Sequence, residues 1–145
     1  MEVVINSYFG YFGLSIVGKM LYGEKKYGTV YFYDKIDEKL RKIQYDPNTK
    51  YNELQNDVRF FVAKRDLGDL VNFNEVGSEL ILNRTLDNLE NRTDPALIAT
   101  VKELGDEANC QFSRLKIIDI PDDVKWDIQS YDGKEEIVER HRTWE

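Results

Sequence analysis

Cysteine, histidine and proline are scarce in this chain of 145 residues. The one cysteine, Cys110, excludes an internal disulfide and any zinc site built from several cysteines. No apolar run approaches the ~20 residues that a membrane-spanning helix needs. The first residues, "MEVVIN", carry an acid where a secretory signal carries basic residues. These absences predict a soluble protein of the cytoplasm that makes no membrane contact.

Basic residues are also in deficit, since 20 Lys and Arg face 27 Asp and Glu, which gives a net charge of −7. Proteins that bind nucleic acids draw affinity from clustered Lys and Arg, so this charge argues against a nucleic-acid partner. The acidity permits mimicry of DNA by carboxylates, and it equally serves solubility. Neither D-x-D-x-D-G nor H-E-x-x-H occurs, so the sequence indicates no metal site, and it indicates no cofactor.

The chain does contain enough apolar sequence for a core. Hydrophobic residues make up 41% and aromatic residues 12% of it, which is typical of a globular protein. At this length we expect a single domain over residues 1–145.

The first half of the chain predicts a strand, a helix and further strands. Val3–Ile5 is β-branched and indicates a short buried strand. Ser15 suits a helix N-cap, and the apolar spacing after it predicts a helix that Gly23 ends. Further strands are predicted within residues 28–35, 57–64 and 79–83.

The second half predicts one clear helix followed by strands. Asp94 caps this helix and Pro95 takes its first position, and either Gly105 ends it or the helix runs on to Asn109. Residues 114–123 are rich in Ile up to Pro121 and predict a central strand covered on both faces.

The last segments complete the predicted fold class. Residues 124–130 predict a half-exposed strand, 131–133 a turn, and 134–142 a short charged helix or an irregular tail. Helices mixed with strands predict an α/β or α+β fold, with a mixed sheet of about five strands and two to three helices.

The first candidate site is "INSYFGYFGLS", residues 5–15. A strand, a glycine loop and a helix start form an arrangement that binds phosphates, because first-turn N–H groups point at the anion. Gly10, Gly13 and Ser15 fit this arrangement, and the aromatic residues of the loop would stack on a base. However, G-x-G-x-x-G and a Walker lysine are missing, so a tight turn between strand and helix is the alternative.

The C-terminal "YDGKEEIVERHRTWE" is the second candidate. His141 is the only histidine and titrates near neutral pH, and Asp132 or Glu139 would orient it as a general base. No motif marks a Ser or Cys nucleophile, and a solvated tail anchored by Trp144 is the alternative. Glu135 and Glu139 lie four apart on one face of the predicted helix, so we expect a nearby cation to compensate their repulsion.

Arg92 is the third candidate. It lies just ahead of the helix that Asp94 caps, where it would either reach an anion or pair with Glu90.

Two segments resemble a group of small phage and prophage proteins. Residues 3–15, "VVINSYFGYFGLS", match the group's "VIN-x-x-x-GGFGLS", with Tyr11 in place of the second glycine. Residues 92–144 carry the group's "RTDPxLI", "VxELG", "IPDDVxWxI", "YDGxE" and "ExHRxW". The resemblance implies a phage origin, a location in the host cytoplasm and a mixed α/β fold, and it implies no activity. Because small phage accessory proteins often counter host defence, it suggests that role by association.

Three functions follow as hypotheses. The first is a non-catalytic binding protein that captures a small anionic, nucleotide-like ligand, as a counter-defence sponge. Its pocket would join both ends of the chain, within one copy or across a homo-oligomer. The second is an acidic inhibitor that binds a host enzyme, and the third is a hydrolase or transferase that uses His141 with a carboxylate. The predicted ligand-binding residues are Asn6, Tyr8, Gly10, Phe12, Gly13, Ser15, Arg92, Tyr131, Asp132, Arg142 and Trp144.

Overall fold

The computed structural model describes residues 1–43, 60–81 and 91–140. Its strands are β1 (Glu2–Asn6), β2 (Tyr31–Ile36), β3 (Lys39–Ile43), β4 (Phe60–Ala63), β5 (Leu70–Asn72), β6 (Leu80–Ile81), β7 (Leu115–Asp119), β8 (Trp126–Tyr131) and β9 (Lys134–Glu139). Its helices are α1 (Ile16–Tyr27), α2 (Phe73–Val76) and α3 (Pro95–Leu104), with single 3-10 turns at Gly77–Glu79 and Gly105–Ala108. The prediction of an α+β fold is confirmed, with more strands than the five or so expected.

The described strands form three antiparallel groups. The largest is a five-stranded sheet in the order β5-β3-β2-β4-β6, while β1 pairs with β7 and β8 pairs with β9. None of the helices that the structure describes has the length and apolar character needed to cross a bilayer.

Helix α1 begins where predicted but ends later. The side chain of Ser15 caps it by accepting from the N–H of Gly18 at 3.0 Å. Gly23 does not end it, because the helix runs to Tyr27 and stops at Gly28. A Cβ at Gly23 would lie 3.4 Å from the ring of Phe32. That is an ordinary van der Waals distance, so a methyl group would fit at Gly23. The helix leaves its regular conformation only at Gly28, where φ is +79°.

Helix α3 confirms the sequence prediction at both ends. Asp94 accepts from the N–H of Ala96, Pro95 occupies the first turn and Gly105 follows the last residue. The Asp94 carboxylate is buried, and it also accepts from the hydroxyl of Tyr22 at 2.8 Å and from Nζ of Lys26 at 2.6 Å. One carboxylate thus caps α3 and ties it to α1.

The strand within residues 114–123 is confirmed, but its expected central position is wrong. Among the described residues β7 pairs only with β1, and its Lys116 and Asp119 are exposed. Ile117 packs on the core between the helices and the large sheet, whereas Ile118 packs in a second cluster with Trp126. The apolar run arises because adjacent residues of a strand point to opposite faces, and here each face has its own core.

The prediction for residues 134–142 is wrong over the part that the structure describes. Lys134–Glu139 is strand β9, neither helix nor irregular tail. The Asp132 and Gly133 φ angles are +50° and +84°, which is the two-residue type I′ turn that joins antiparallel strands. Ile137 lies opposite Ile128 and packs with it against β1. The turn predicted at residues 131–133 and the half-exposed strand before it are confirmed.

Candidate functional site

Asn6, at the end of β1, organises the loop that follows. Its Nδ2 donates to the carbonyl oxygens of Tyr8 at 2.9 Å and Gly133 at 2.8 Å. Its Oδ1 accepts from the N–H groups of Tyr8 at 3.3 Å and Arg114 at 2.9 Å. Because these four bonds use both donors and both acceptor sites of a buried amide, the side chain joins the loop, the β8–β9 hairpin and β7.

The middle of the loop lies directly against the turn of the hairpin. The N–H of Gly10 donates to the carbonyl oxygen of Asp132 at 2.9 Å. A Cβ at Gly133 would lie 1.6 Å from the carbonyl oxygen of Gly10, and a Cβ at Gly10 would lie 2.2 Å from that of Phe112. Backbone meets backbone at both positions: glycine at 133 lets the turn approach the loop, and glycine at 10 lets the loop approach Phe112.

The start of α1 lies beneath the 3-10 turn that follows α3. The N–H of Ser15 donates to the carbonyl oxygen of Ala108 at 2.9 Å, and its Oγ donates to that of Glu107 at 2.6 Å. The carbonyl oxygen of Gly13 accepts from Oγ of Ser113 at 2.8 Å. Ser15 is 2% exposed, so this part of the loop packs inside the protein. These contacts support the tight-turn interpretation of the loop over a phosphate cradle.

Arg92 forms a bidentate ion pair with Glu135 on β9. Its Nη1 and Nη2 lie 2.5 and 2.9 Å from the two carboxylate oxygens, and the side chains are 15% and 9% exposed. The N–H of Asn6 donates to the same carboxylate at 2.8 Å. The guanidinium carbon of Arg92 also lies 3.5 Å from the ring centroid of Phe12. The cation expected near Glu135 is therefore Arg92. Its guanidinium is largely buried between the Glu135 carboxylate and the ring of Phe12.

An open cleft lies on the outer side of this junction. It has a volume of about 470 Å³ and is lined by Phe9, by residues 129–131 and by residues 134–136. The rings of Phe9 and Tyr131 stand 6.4 Å apart at 76° to each other. Nζ of Lys134 lies 5.3 Å from the Phe9 centroid, and within the described residues it makes no ion pair. The cleft thus joins two aromatic walls to one cation.

Further aromatic side chains surround the loop. Arg114 lies 4.8 Å from the ring centroid of Tyr8, and the rings of Tyr11 and Phe112 lie 5.3 Å apart. We call the exposed rings of this region the aromatic patch, which comprises Tyr8, Phe9, Tyr11, Phe112 and Tyr131. Tyr131 is the most exposed of them, at 74%. Single exposed aromatic side chains are common on protein surfaces, whereas a cluster of them is a feature of binding surfaces.

The structure brings together part of the predicted set. The junction of loop and hairpin contains Asn6, Tyr8, Gly10, Tyr131 and Asp132. Phe12 and Arg92 meet behind it, and Gly13 and Ser15 lie apart from it at the start of α1. Four residues of the earlier hypotheses lie outside the described residues: Glu90, His141, Arg142 and Trp144.

Sequence reasoning missed most of the cleft itself. The sequence predicts a charged helix or an irregular tail at Lys134 and Glu136, whereas on β9 they lie opposite Tyr131 and Gln129. The signal that identifies them is the Asp-Gly dipeptide, which predicts a hairpin and fixes this register. Within the ranges that the structure describes, no three His, Cys, Asp or Glu side chains are placed to hold a metal ion.

Comparison with known proteins supplies no relative of this chain: no protein-family model, no curated protein and no solved structure matches it. The functional argument therefore depends on the chemistry of the cleft and the aromatic patch.

Proposed function

We propose that this protein is a non-catalytic binding protein that captures a small anionic, nucleotide-like ligand in the cleft between Phe9 and the β8–β9 hairpin. The phage resemblance makes sequestration of a nucleotide-derived immune signal in the host cytoplasm the biological setting that we favour. The observation that carries the proposal is the pairing of two exposed aromatic rings with a lysine that has no acidic partner among the described residues.

The geometry suits a flat ring with an attached anion. Ligand pockets commonly have volumes of ≈ 300–1,000 Å³, and the cleft falls in that range at about 470 Å³. Because Phe9 and Tyr131 stand nearly at right angles, a base stacked on one ring meets the edge of the other, an arrangement that aromatic groups favour. Lys134 at the same place would attract the phosphate.

Charge is the main argument against an anionic ligand, and the local distribution answers it in part. The whole chain carries −7, which repels anions at long range, but charges beyond about 8 Å are largely screened at physiological salt. Of the cleft's two glutamates, Glu135 is neutralised by Arg92, whereas Glu136 is exposed. A bound phosphate would therefore meet Lys134 as the attracting charge beside Phe9 and Glu136 as the opposing one.

The test is a thermal-shift screen followed by calorimetry. The ligands are AMP, GMP, cyclic dinucleotides and cyclic ADP-ribose, with adenosine and inorganic phosphate as partial ligands. We expect Tyr131→Ala to weaken binding about tenfold, because stacking on an aromatic side chain is worth ≈ 1–3 kcal/mol per base. Lys134→Gln should weaken the binding of nucleotides and leave the binding of nucleosides unchanged.

The matched controls are Tyr27→Ala and Lys64→Gln. Nζ of Lys64 lies 5.9 Å from the ring of Tyr27, so this pair repeats the cation and aromatic ring away from the cleft. The controls should bind as the unchanged protein does. Absence of any shift at millimolar nucleotide, or an equal loss in the controls, would refute the proposal.

A second candidate function is inhibition of a host enzyme through the aromatic patch. Tyr and Phe are enriched at the centres of protein interfaces, and the patch consists of these two residue types. Capture of a host protein that Tyr131→Ala abolishes, that Tyr27→Ala leaves intact, and that weakens as salt rises would favour this function. Capture that is indifferent to Tyr131 would exclude the patch as the contact.

A further inference from the structure

The two walls of the cleft belong to segments that are distant in sequence. Phe9 lies in the loop after β1, whereas Tyr131 and Lys134 lie at the end of the β8–β9 hairpin. In the part of the chain that the structure describes, this hairpin pairs with no third strand. A lone two-stranded hairpin is marginally stable in water, so its place beside the loop depends on its contacts with the rest of the protein. These are the backbone hydrogen bond from Gly10 to Asp132, the apolar packing of Ile128 and Ile137 on β1, and the polar contacts of Glu135.

Arg92 makes contacts with every part of the junction. It holds Glu135 of the hairpin with two hydrogen bonds, its Nη1 lies 3.5 Å from the carbonyl oxygen of Val4 in β1, and its guanidinium stacks on Phe12 of the loop. The pair is largely buried behind the cleft. Glu135 lies opposite Ser130, on the inward face of the hairpin, while the adjacent Lys134 lies opposite Tyr131 on the outward face.

We propose that Arg92 is a positioning residue, which through Glu135 holds the hairpin against the loop and so sets the separation of Phe9 and Tyr131. The predicted effect of Arg92 on affinity rests on the proposed function, because it requires a ligand that binds in the cleft. A ligand that touches both walls binds only the docked arrangement. Its apparent dissociation constant therefore rises in proportion as the docked population falls.

The first measurement needs no ligand. In the full chain, Arg92→Met should accelerate amide hydrogen exchange over residues 126–139 and abolish nuclear Overhauser contacts between the rings of Phe9 and Tyr131. Glu135→Gln, which keeps the size of the side chain, should do the same to a smaller degree and serves if Arg92→Met fails to fold. The double variant Arg92→Met, Glu135→Gln should restore both signals, because it leaves no buried charge without a partner while the Gln amide oxygen still accepts from the N–H of Asn6.

The control is Arg140→Met. Arg140 pairs with Asp127 in the same hairpin, also with two hydrogen bonds, but both side chains are exposed. Exposed pairs contribute little, so this variant should exchange as the unchanged protein does. Equal acceleration in Arg140→Met and Arg92→Met, or unchanged ring contacts in Arg92→Met and Glu135→Gln, would overturn the inference.

The second measurement uses a fluorescently labelled AMP. We expect Arg92→Met to weaken its binding at least about tenfold and the double variant to recover most of the affinity. If labelled AMP and the screened nucleotides all fail to bind the unchanged protein, the proposed function fails, while the ligand-free measurements still decide whether Arg92 positions the hairpin. If the nucleotide binds but Arg92→Met leaves its affinity unchanged, the positioning inference fails and the ligand site stands.

Discussion

Replacement of Asp94 tests how the two long helices are joined. The carboxylate is buried and accepts from the N–H of Ala96, the hydroxyl of Tyr22 and Nζ of Lys26. Asp94→Ala removes an N-cap worth about 1 kcal/mol. It also leaves the buried Tyr22 hydroxyl without its acceptor, at about 1–3 kcal/mol. Loss of the ion pair with the exposed Lys26 side chain adds little to this destabilisation. We expect Asp94→Ala to lower the free energy of unfolding by about 2–4 kcal/mol.

Urea unfolding followed by far-UV circular dichroism measures this loss. Tyr22→Phe alone should cost about 1 kcal/mol. The double variant Asp94→Ala, Tyr22→Phe should then cost at least about 1 kcal/mol less than the sum of the two, because no hydroxyl is left unpaired. Strict additivity, or a loss below about 0.5 kcal/mol for Asp94→Ala, would refute this account of the contact between α1 and α3.

The same carboxylate gives a pH dependence of known sign. Burial acts to raise the pKa of Asp94, but hydrogen bonds from Lys26, Tyr22 and Ala96 outweigh it and leave the pKa below its ordinary value. A lowered pKa in the folded state stabilises the protein above the carboxyl's unfolded pKa, and this contribution disappears as the pH falls through the folded pKa. The stability advantage over Asp94→Asn should therefore be full at neutral pH and decline below about pH 4. If the stability advantage over Asp94→Asn persisted unchanged in acid, Asp94 would not be the ionised group that this account requires.

Two further predictions concern single contacts. Gly133→Ala places a Cβ 1.6 Å from the carbonyl oxygen of Gly10 at a φ of +84°, so chemical unfolding should show a loss of about 1–3 kcal/mol or more. By contrast, Gly77→Ala, with a φ of −56° and open space at its Cβ, should be neutral or stabilising. The hydrogen bond from Lys42 lowers the pKa of Asp66, so Lys42→Ala should raise the midpoint of the Asp66 carboxyl in an NMR titration. An unmoved midpoint would show that the pair does not form.

The elements that could be predicted from the sequence are those whose signals are local. Helix α3 carries its cap, its proline and its terminal glycine within its own segment, and all three act there. Gly23 presents the same terminal signal in α1, but the helix passes through it and ends at Gly28, where φ is +79°. Both positions are a glycine at the end of an amphipathic run, so the sequence alone does not say at which one the chain leaves the helix.

The candidate site shows the same limit over longer distances. The sequence predicts that Arg92 reaches an anion or pairs with Glu90, which lies outside the described residues. Among the described residues Arg92 pairs with Glu135, in a strand predicted as a charged helix or an irregular tail. The acidic stretch on β9 obscured a hairpin that Asp132 and Gly133 signalled locally. Once the hairpin is recognised, the outward position of Tyr131 and Lys134 follows from strand alternation.

The glycines that first suggested a phosphate loop serve the cleft indirectly. The missing side chain of Gly133 lets the hairpin turn touch the backbone of Gly10, whose N–H donates to the turn, while the missing side chain of Gly10 faces Phe112. The hydrogen bond to the turn uses the amide which a phosphate cradle would have offered. The neighbouring rings of Phe9 and Tyr131 are exposed beside this contact. In the proposed function, the glycines therefore shape the junction beside the cleft, while the aromatic and basic side chains next to them would carry the recognition.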